Sequence, residues 1–252
     1  MRIETIYRYP VKGLTPEAMG EAALRAGRAI EWDRAFALAQ GDCGFDEAAP
    51  AWRPKTEFLC LARNIEAAAL EARFDPDRSL LTLVARDGAA LDADPLTASG
   101  REAIGEFIAA ALPTAMRGVP RFVHVGDEHS FCDHDGQVIS LIGLGSLAAL
   151  SAAVGSPREK MRFRANIYVE GIEAWAEFGW IGRTLAIGAA RLVVVERINR
   201  CAATCVNPGT GLRDANPVKE LMTHFGHVDC GVFAEVVTPG RIGVGDAVTV
   251  MS

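Results

Sequence analysis

Residues 200–214 read RCAATCVNPGTGLRD, the stretch with the most chemistry in the chain. Cys201 directly follows Arg200, and the run passes through Thr204, Val206, Asn207 and Pro208 into the turn Gly209-Thr210-Gly211. A thiolate is a soft ligand and a strong nucleophile, and an adjacent cation favours it over the thiol. Proline and closely spaced glycines mark a bend. The stretch therefore predicts a reactive sulfur on an exposed loop. Cys205 follows four positions later, a C-x-x-x-C spacing rather than the C-x-x-C of thioredoxin-like sites. It reads as a strand residue, with a resolving thiol for Cys201 as the alternative.

Outward from this loop, short strands dominate. In the second half they are predicted at residues 166–169, 185–187, 191–196, 232–237 and 247–250. Turn signals roughly every ten residues favour a barrel or curled sheet over a βαβ array. Two helices interrupt them, one over 144–154 closed by Gly155, the other starting at Asn216-Pro217 and ending at Gly226. In the first half, Ile3, Thr5, Tyr7 and Tyr9 alternate with Glu4 and Arg8 as a half-buried strand ending at Pro10. Further strands are expected at 35–39, 58–62, 67–73 and 80–85. Ile104, Phe107, Ile108, Ala111 and Leu112 form one apolar helical stripe, with Ser99 and Glu102 as a capping box and Pro113 as the stop. The expectation is a mainly β fold with a few helices (α+β). Its boundary falls between Pro113 and Pro120, giving an N-terminal β-rich domain, 1–113, and a C-terminal domain, 114–252.

Half of the 252 residues are hydrophobic and 23% are charged, which excludes wholesale disorder. The net charge is −6 and no Lys/Arg-rich run occurs, so nucleic acid is not an expected partner. The N-terminus is charged and strand-like, with no signal peptide in view. Residues 138–157 carry no charge but are too rich in serine and glycine for a membrane span. Six scattered cysteines read as free thiols in a reducing compartment, so the expected location is cytoplasmic, with no membrane partner.

The loop at 200–214 resembles R-C-x-x-T-x-V-D-P-x-T-G, the signature of the MOSC family, named for the C-terminal domain of molybdenum cofactor sulfurases. Other segments agree. Phe131-Cys132-Asp133 is similar to the family's F-x-D entry loop, and Ser146-Leu147 to its S-L helix start. Arg164-Ala165-Asn166-Ile167 resembles R-P-N-I, followed by a strand and by Trp175. Residues 240–246 resemble G-x-I-x-V-G-D. Tyr9-Pro10-Val11-Lys12-Gly13 and Trp32-Asp33-Arg34 are similar to the Y-P-V-K-S and W-D-R of an N-terminal domain found in longer members. Those members include bacterial and mitochondrial enzymes that reduce N-hydroxylated compounds.

The resemblance implies a β-barrel-type MOSC domain, a smaller N-terminal β-rich domain, and a molybdenum cofactor (Mo-molybdopterin). It makes Cys201 the catalytic residue and molybdenum ligand. It makes Lys12, Arg34, Arg164, Asn166, Arg200, Thr204 and Asn207 the residues that bind the cofactor. Molybdenum held by a dithiolene accepts a further soft sulfur, and a phosphate wants arginine forks and a lysine point charge. The implied activity is an oxidoreductase acting on small N-hydroxylated or N-oxide compounds. The alternatives are a sulfurtransferase or sulfur carrier using a Cys201 persulfide, and a non-catalytic cofactor carrier. The sequence lacks a plant-type iron–sulfur spacing and any flavin or nicotinamide fingerprint, so a reductase needs an iron–sulfur or flavoprotein donor. Three departures stand out: Asn207 replaces the family's aspartate, Gly13 its serine, and Gly143-Leu144 its Ser-Glu. Residues 129–135 contain every zinc-ligand type, but in no recognised spacing.

Overall fold

A computed structural model describes residues 1–126 and 129–251 of the chain. Seven strands precede the first helix: β1 (Arg2–Arg8), β2 (Glu17–Met19), β3 (Glu21–Leu24), β4 (Phe36–Ala39), β5 (Glu71–Asp75), β6 (Leu80–Val84) and β7 (Ala90–Ala93). Helix α1 (Ala98–Ala111) leads to β8 (Arg121–His124), β9 (Ile139–Gly143), α2 (Leu144–Val154) and β10 (Ile167–Glu170). There follow β11 (Thr184–Ile187), β12 (Ala190–Asn199), α3 (Pro217–Phe225), β13 (Asp229–Thr238), β14 (Gly240–Gly243) and β15 (Val248–Val250).

Eight strands form one sheet in the order β15-β11-β12-β13-β9-β10-β1-β2, a curled half-barrel. Within it β9 and β10 run parallel with α2 as their crossover, and the other pairs are antiparallel. In β12, Ala190, Leu192 and Val194 are buried while the residues between them are less so, the period of two that puts one face on a core. Register shifts near Glu196 and Asn199 mark irregularities that bend β12 beside the loop carrying Cys201. The core of this sheet joins Ile3 and Ile6 to Leu141, Ile167, Val232 and Leu192. A second core packs Ile104 and Ile108 of α1 against Phe74, Leu81 and Leu83 of the β5-β6-β7 sheet and Phe36 of β4. Strand pairing crosses the 113/114 position, for β1 lies beside β10, β3 beside β14, and β4 beside β8.

Several local expectations shift. Residues 58–62 contribute only the bridge between Ala39 and Phe58. Residues 65–69 wind into a 3₁₀ turn, so the strand expected at 67–73 begins at Glu71. Three successive alanines, poor strand formers, occupy that turn. Helix α1 is capped by Thr97, whose hydroxyl accepts from the Gly100 amide at 3.1 Å, while Ser99 already lies inside the first turn. The charge-free stretch at 138–157 resolves into β9 and α2. All five β9 residues are buried, so the strand shows no alternation in sequence. Among the described residues no helix is long and apolar enough to cross a membrane.

Candidate functional site

A cavity of about 430 Å³ gathers Lys12, Arg34 and Lys55 from the first half with Arg164, Arg200 and Cys201 from the second. Cys201 follows the end of β12 in extended backbone and caps the 3₁₀ turn Ala202–Cys205. Thr204 donates to the Cys201 carbonyl from both its amide (3.0 Å) and its hydroxyl (2.9 Å), which fixes the backbone that carries the sulfur.

Two arginines on this cavity share an unusual backbone. Arg34 and Arg164 both sit at φ 53°, the left-handed region that costs an L residue about 1–2 kcal/mol. Both guanidiniums lie against the Tyr9 ring, at 4.6 and 4.4 Å from its centroid. Tyr9 is fully buried, and burial pushes its pKa up to about 12. Arg34 is engaged by the Asp33 carboxylate and donates to the Arg164 carbonyl at 3.0 Å. The Arg164 guanidinium makes no hydrogen bond or ion pair with a described residue; the Tyr9 ring is its contact. Burial first, and Arg34 with it, hold the Arg164 pKa below the ordinary arginine value.

The neighbouring arginines are differently placed. Arg200 donates to the Cys230 carbonyl (Nε, 2.7 Å) and the Phe163 carbonyl (Nη1, 2.8 Å), neutral acceptors that leave its charge uncompensated. Arg162 is buried between carboxylates: it pairs with Glu159 and, at 2.6 Å, with Asp214, and donates to the Cys205 carbonyl at 3.3 Å.

Asp133 carries a second group of charges. It accepts from Lys12 at 2.6 Å and from Lys55 at 2.9 Å, and Lys12 also donates to the Phe131 carbonyl at 2.7 Å. Burial alone would raise the Asp133 pKa; Lys12 and then Lys55 outweigh it and hold the carboxyl well below its usual range. Burial opposes the charge on Lys55 too, but Asp133 first, and the nearby Cys201 sulfur after it, push its pKa up to about 12. Next to Lys12, Gly13 sits at φ 86°, and a Cβ there would stand 2.9 Å from the Leu59 carbonyl oxygen. The position therefore requires glycine, which gives its departure from the family's serine a physical reason.

Seven of the eight residues singled out in the sequence line the cavity: Lys12, Arg34, Arg164, Asn166, Arg200, Cys201 and Thr204. Asn166 does so with its carbonyl oxygen already accepting from the Ser140 amide and hydroxyl, which ties β10 to β9. Asn207 is not brought there. Its oxygen accepts from the amides of Gly209 (2.9 Å) and Thr210 (3.2 Å), and its amide nitrogen donates to Asp214. It is the keeper of the turn, a role short polar side chains fill well. Sequence reasoning passed over Lys55 and Asp133 as site residues. Asp133 was visible in the F-x-D segment; Lys55 lies in no motif.

The MOSC domain model matches residues 122–249, more than half of the chain, and the chain belongs to this family, which is associated with molybdenum cofactor proteins. Mitochondrial amidoxime-reducing component 1 of Homo sapiens is 28% identical over 120 residues, 43% of this chain and 35% of that protein. Its Xenopus laevis counterpart is 30% identical over 126 residues, 45% and 36% of the two chains. Molybdenum cofactor sulfurase 1 of Aedes aegypti is 30% identical over 83 residues, 32% of this chain and 11% of that one. The matches thus span little more than a third of these relatives' length at most. Among solved structures, the YuaD protein of Bacillus subtilis aligns over 98% of this chain and 93% of its own at 14% identity and a TM-score of 0.46.

Proposed function

We propose that the chain binds a molybdenum cofactor in this cavity and acts as an oxidoreductase on N-hydroxylated or N-oxide compounds, with Cys201 as the metal ligand. The observation that carries the reading is the Arg164 guanidinium, part-buried and without a polar partner among the described residues, on the same cavity as the Cys201 sulfur. A partly desolvated cation without a partner favours an anion that meets it, and a phosphate monoester matches an arginine fork. The donor set fits a phosphorylated, sulfur-ligated group: one open fork, two lysines sharing one carboxylate, and one soft sulfur. When bound, the cofactor supplies the two-electron redox chemistry. The chain's own residues bind and orient: Arg164 and Arg34 hold the phosphate end, Thr204 fixes the Cys201 backbone, and Arg200 keeps that surface electropositive. Electrons come from an iron–sulfur or flavoprotein partner. The names of the amidoxime-reducing relatives support the choice of substrate.

The test is elemental and pterin analysis of protein made in cells that synthesise the cofactor. We expect roughly stoichiometric molybdenum and a fluorescent pterin after oxidation. Cys201→Ser abolishes reduction of an N-hydroxylated compound by a reduced viologen, with the circular dichroism spectrum unchanged. Protein holding neither metal nor pterin sinks the reading and favours the persulfide carrier.

A further inference from the structure

The charges around Cys201 do not balance. Lys12 and Lys55 share the one carboxylate of Asp133, Arg200 rests on carbonyls, and Arg164 has no polar partner among the described residues. A phosphate monoester brings about two negative charges and is met by the fork of Arg164 and its neighbour Arg34. Lys12, Lys55 and Arg200 then remain against Asp133, with the exposed Glu196 as the other carboxylate on the cavity wall. The two lysines differ in where they leave their charge. The Lys12 side chain is 8% exposed and held by two protein acceptors, whereas that of Lys55 is 31% exposed and borders the solvent from which a substrate arrives. Lys55 donates to Asp133 and lines the same cavity wall as Cys201, whose sulfur lies within its electrostatic reach. Asp133 anchors this ammonium without cancelling the pair of lysines.

We propose that Lys55 is a specificity-determining residue of this site: anchored by Asp133 beside the Cys201 sulfur, it selects substrates that carry a carboxylate or similar oxyanion close to the reacting oxygen. The selection applies to the reaction only if the cofactor reading holds. The preference for an anion at Cys201 is a property of the chain itself and is measurable without the cofactor.

Two alkylating reagents test it. Iodoacetate and iodoacetamide each form a carbon–sulfur bond with a thiolate and release iodide, one reagent being anionic and the other neutral. Their rate ratio at one cysteine cancels the thiolate fraction and reports the charge around the sulfur. The ratio is read by mass spectrometry of the Cys201 peptide in cofactor-free protein. Lys55→Gln should lower it about three- to fivefold, the scale of a partly exposed charge pair, and Lys55→Arg should retain it. An unchanged ratio in Lys55→Gln overturns the proposal, as does a fall in Arg200→Ala or Arg164→Ala alone. In protein with full molybdenum, nicotinic acid N-oxide should be reduced with a higher kcat/KM than neutral nicotinamide N-oxide, through KM, and Lys55→Gln should erase the difference. Full molybdenum without that charge preference overturns the inference and leaves the cofactor reading standing. Protein that never takes up molybdenum overturns the cofactor reading, while the alkylation ratio still decides the role of Lys55.

Discussion

Two openings on this molecule differ in what their polar atoms lack. The larger, about 980 Å³, is a groove with Thr15, Glu17, Ala72 and Phe74 in its walls, between β2 and β5, each the last strand of its sheet. The free backbone of β5 is met there by side chains. The Ala72 amide donates to the Thr15 hydroxyl at 2.8 Å, the Phe74 amide to Glu17, and Arg8 donates to the Phe74 carbonyl at 3.1 Å. The smaller cavity, about 430 Å³, holds a guanidinium with no polar partner among the described residues and two lysines with one carboxylate between them. A ligand in the groove would find its backbone donors already engaged; a ligand in the cavity completes a charge set. Size alone orders the two openings wrongly. The same contrast separates Arg162 and Arg164, two positions apart in the chain.

The largest effect expected from this contrast is at Arg162. Arg162→Met should lower unfolding free energy by about 3 kcal/mol, because two carboxylates and a carbonyl lose their shared partner. Arg164→Met should leave stability within about 1 kcal/mol, the scale of its contact with Tyr9. It should nevertheless lose bound pterin by roughly ten- to a hundredfold in affinity. Urea denaturation alongside pterin quantitation reads both; equal destabilisation of the two variants would erase the distinction.

The groove offers a smaller effect of the structural kind. Thr15→Val removes the acceptor for the Ala72 amide and should cost about 1–2 kcal/mol. Cofactor content should not move. A variant that keeps its melting temperature but loses molybdenum would make the groove part of the site.

Glu177 gives the finest discrimination, since it is a buried charge for which no ligand is proposed. It accepts from the Ser146 hydroxyl and the Gly143 amide at the start of α2, yet burial outweighs these bonds and raises its pKa. A carboxyl raised in the fold adds stability that is fully present below its unfolded pKa and lost as pH rises through the folded one. The stability of Glu177→Gln relative to the parent should therefore increase with pH above the ordinary glutamate range. Chemical denaturation at a series of pH values measures this, and a difference independent of pH would show that Glu177 is not raised.

Much of the site was legible because the loop around Cys201 keeps its chemistry within a dozen residues. The signals for α2 and α3 are equally local. Gly155 and Gly226 close them at φ 73° and 74°, and the Asn216 side chain caps α3 by accepting from the Lys219 amide. Strand β9 was illegible for a stated reason, since burial of every residue leaves no period of two. Lys55 was illegible for another: it sits beside exposed residues in no motif, and its partner Asp133 lies 78 positions away.

By itself the sequence determined a mainly β fold, the family, the two C-terminal helices and the sulfur at Cys201, because each is written in neighbouring residues or in a motif without gaps. Tertiary structure alone decided which cations are free. Lys12 and its carboxylate are 121 positions apart, and the acceptors of Arg200, like those of Arg162 apart from the local Glu159, come from other segments of the chain. Whether a charged side chain is satisfied or waits for a ligand depends on what the fold brings within about 3 Å of it, and that distance is set by packing.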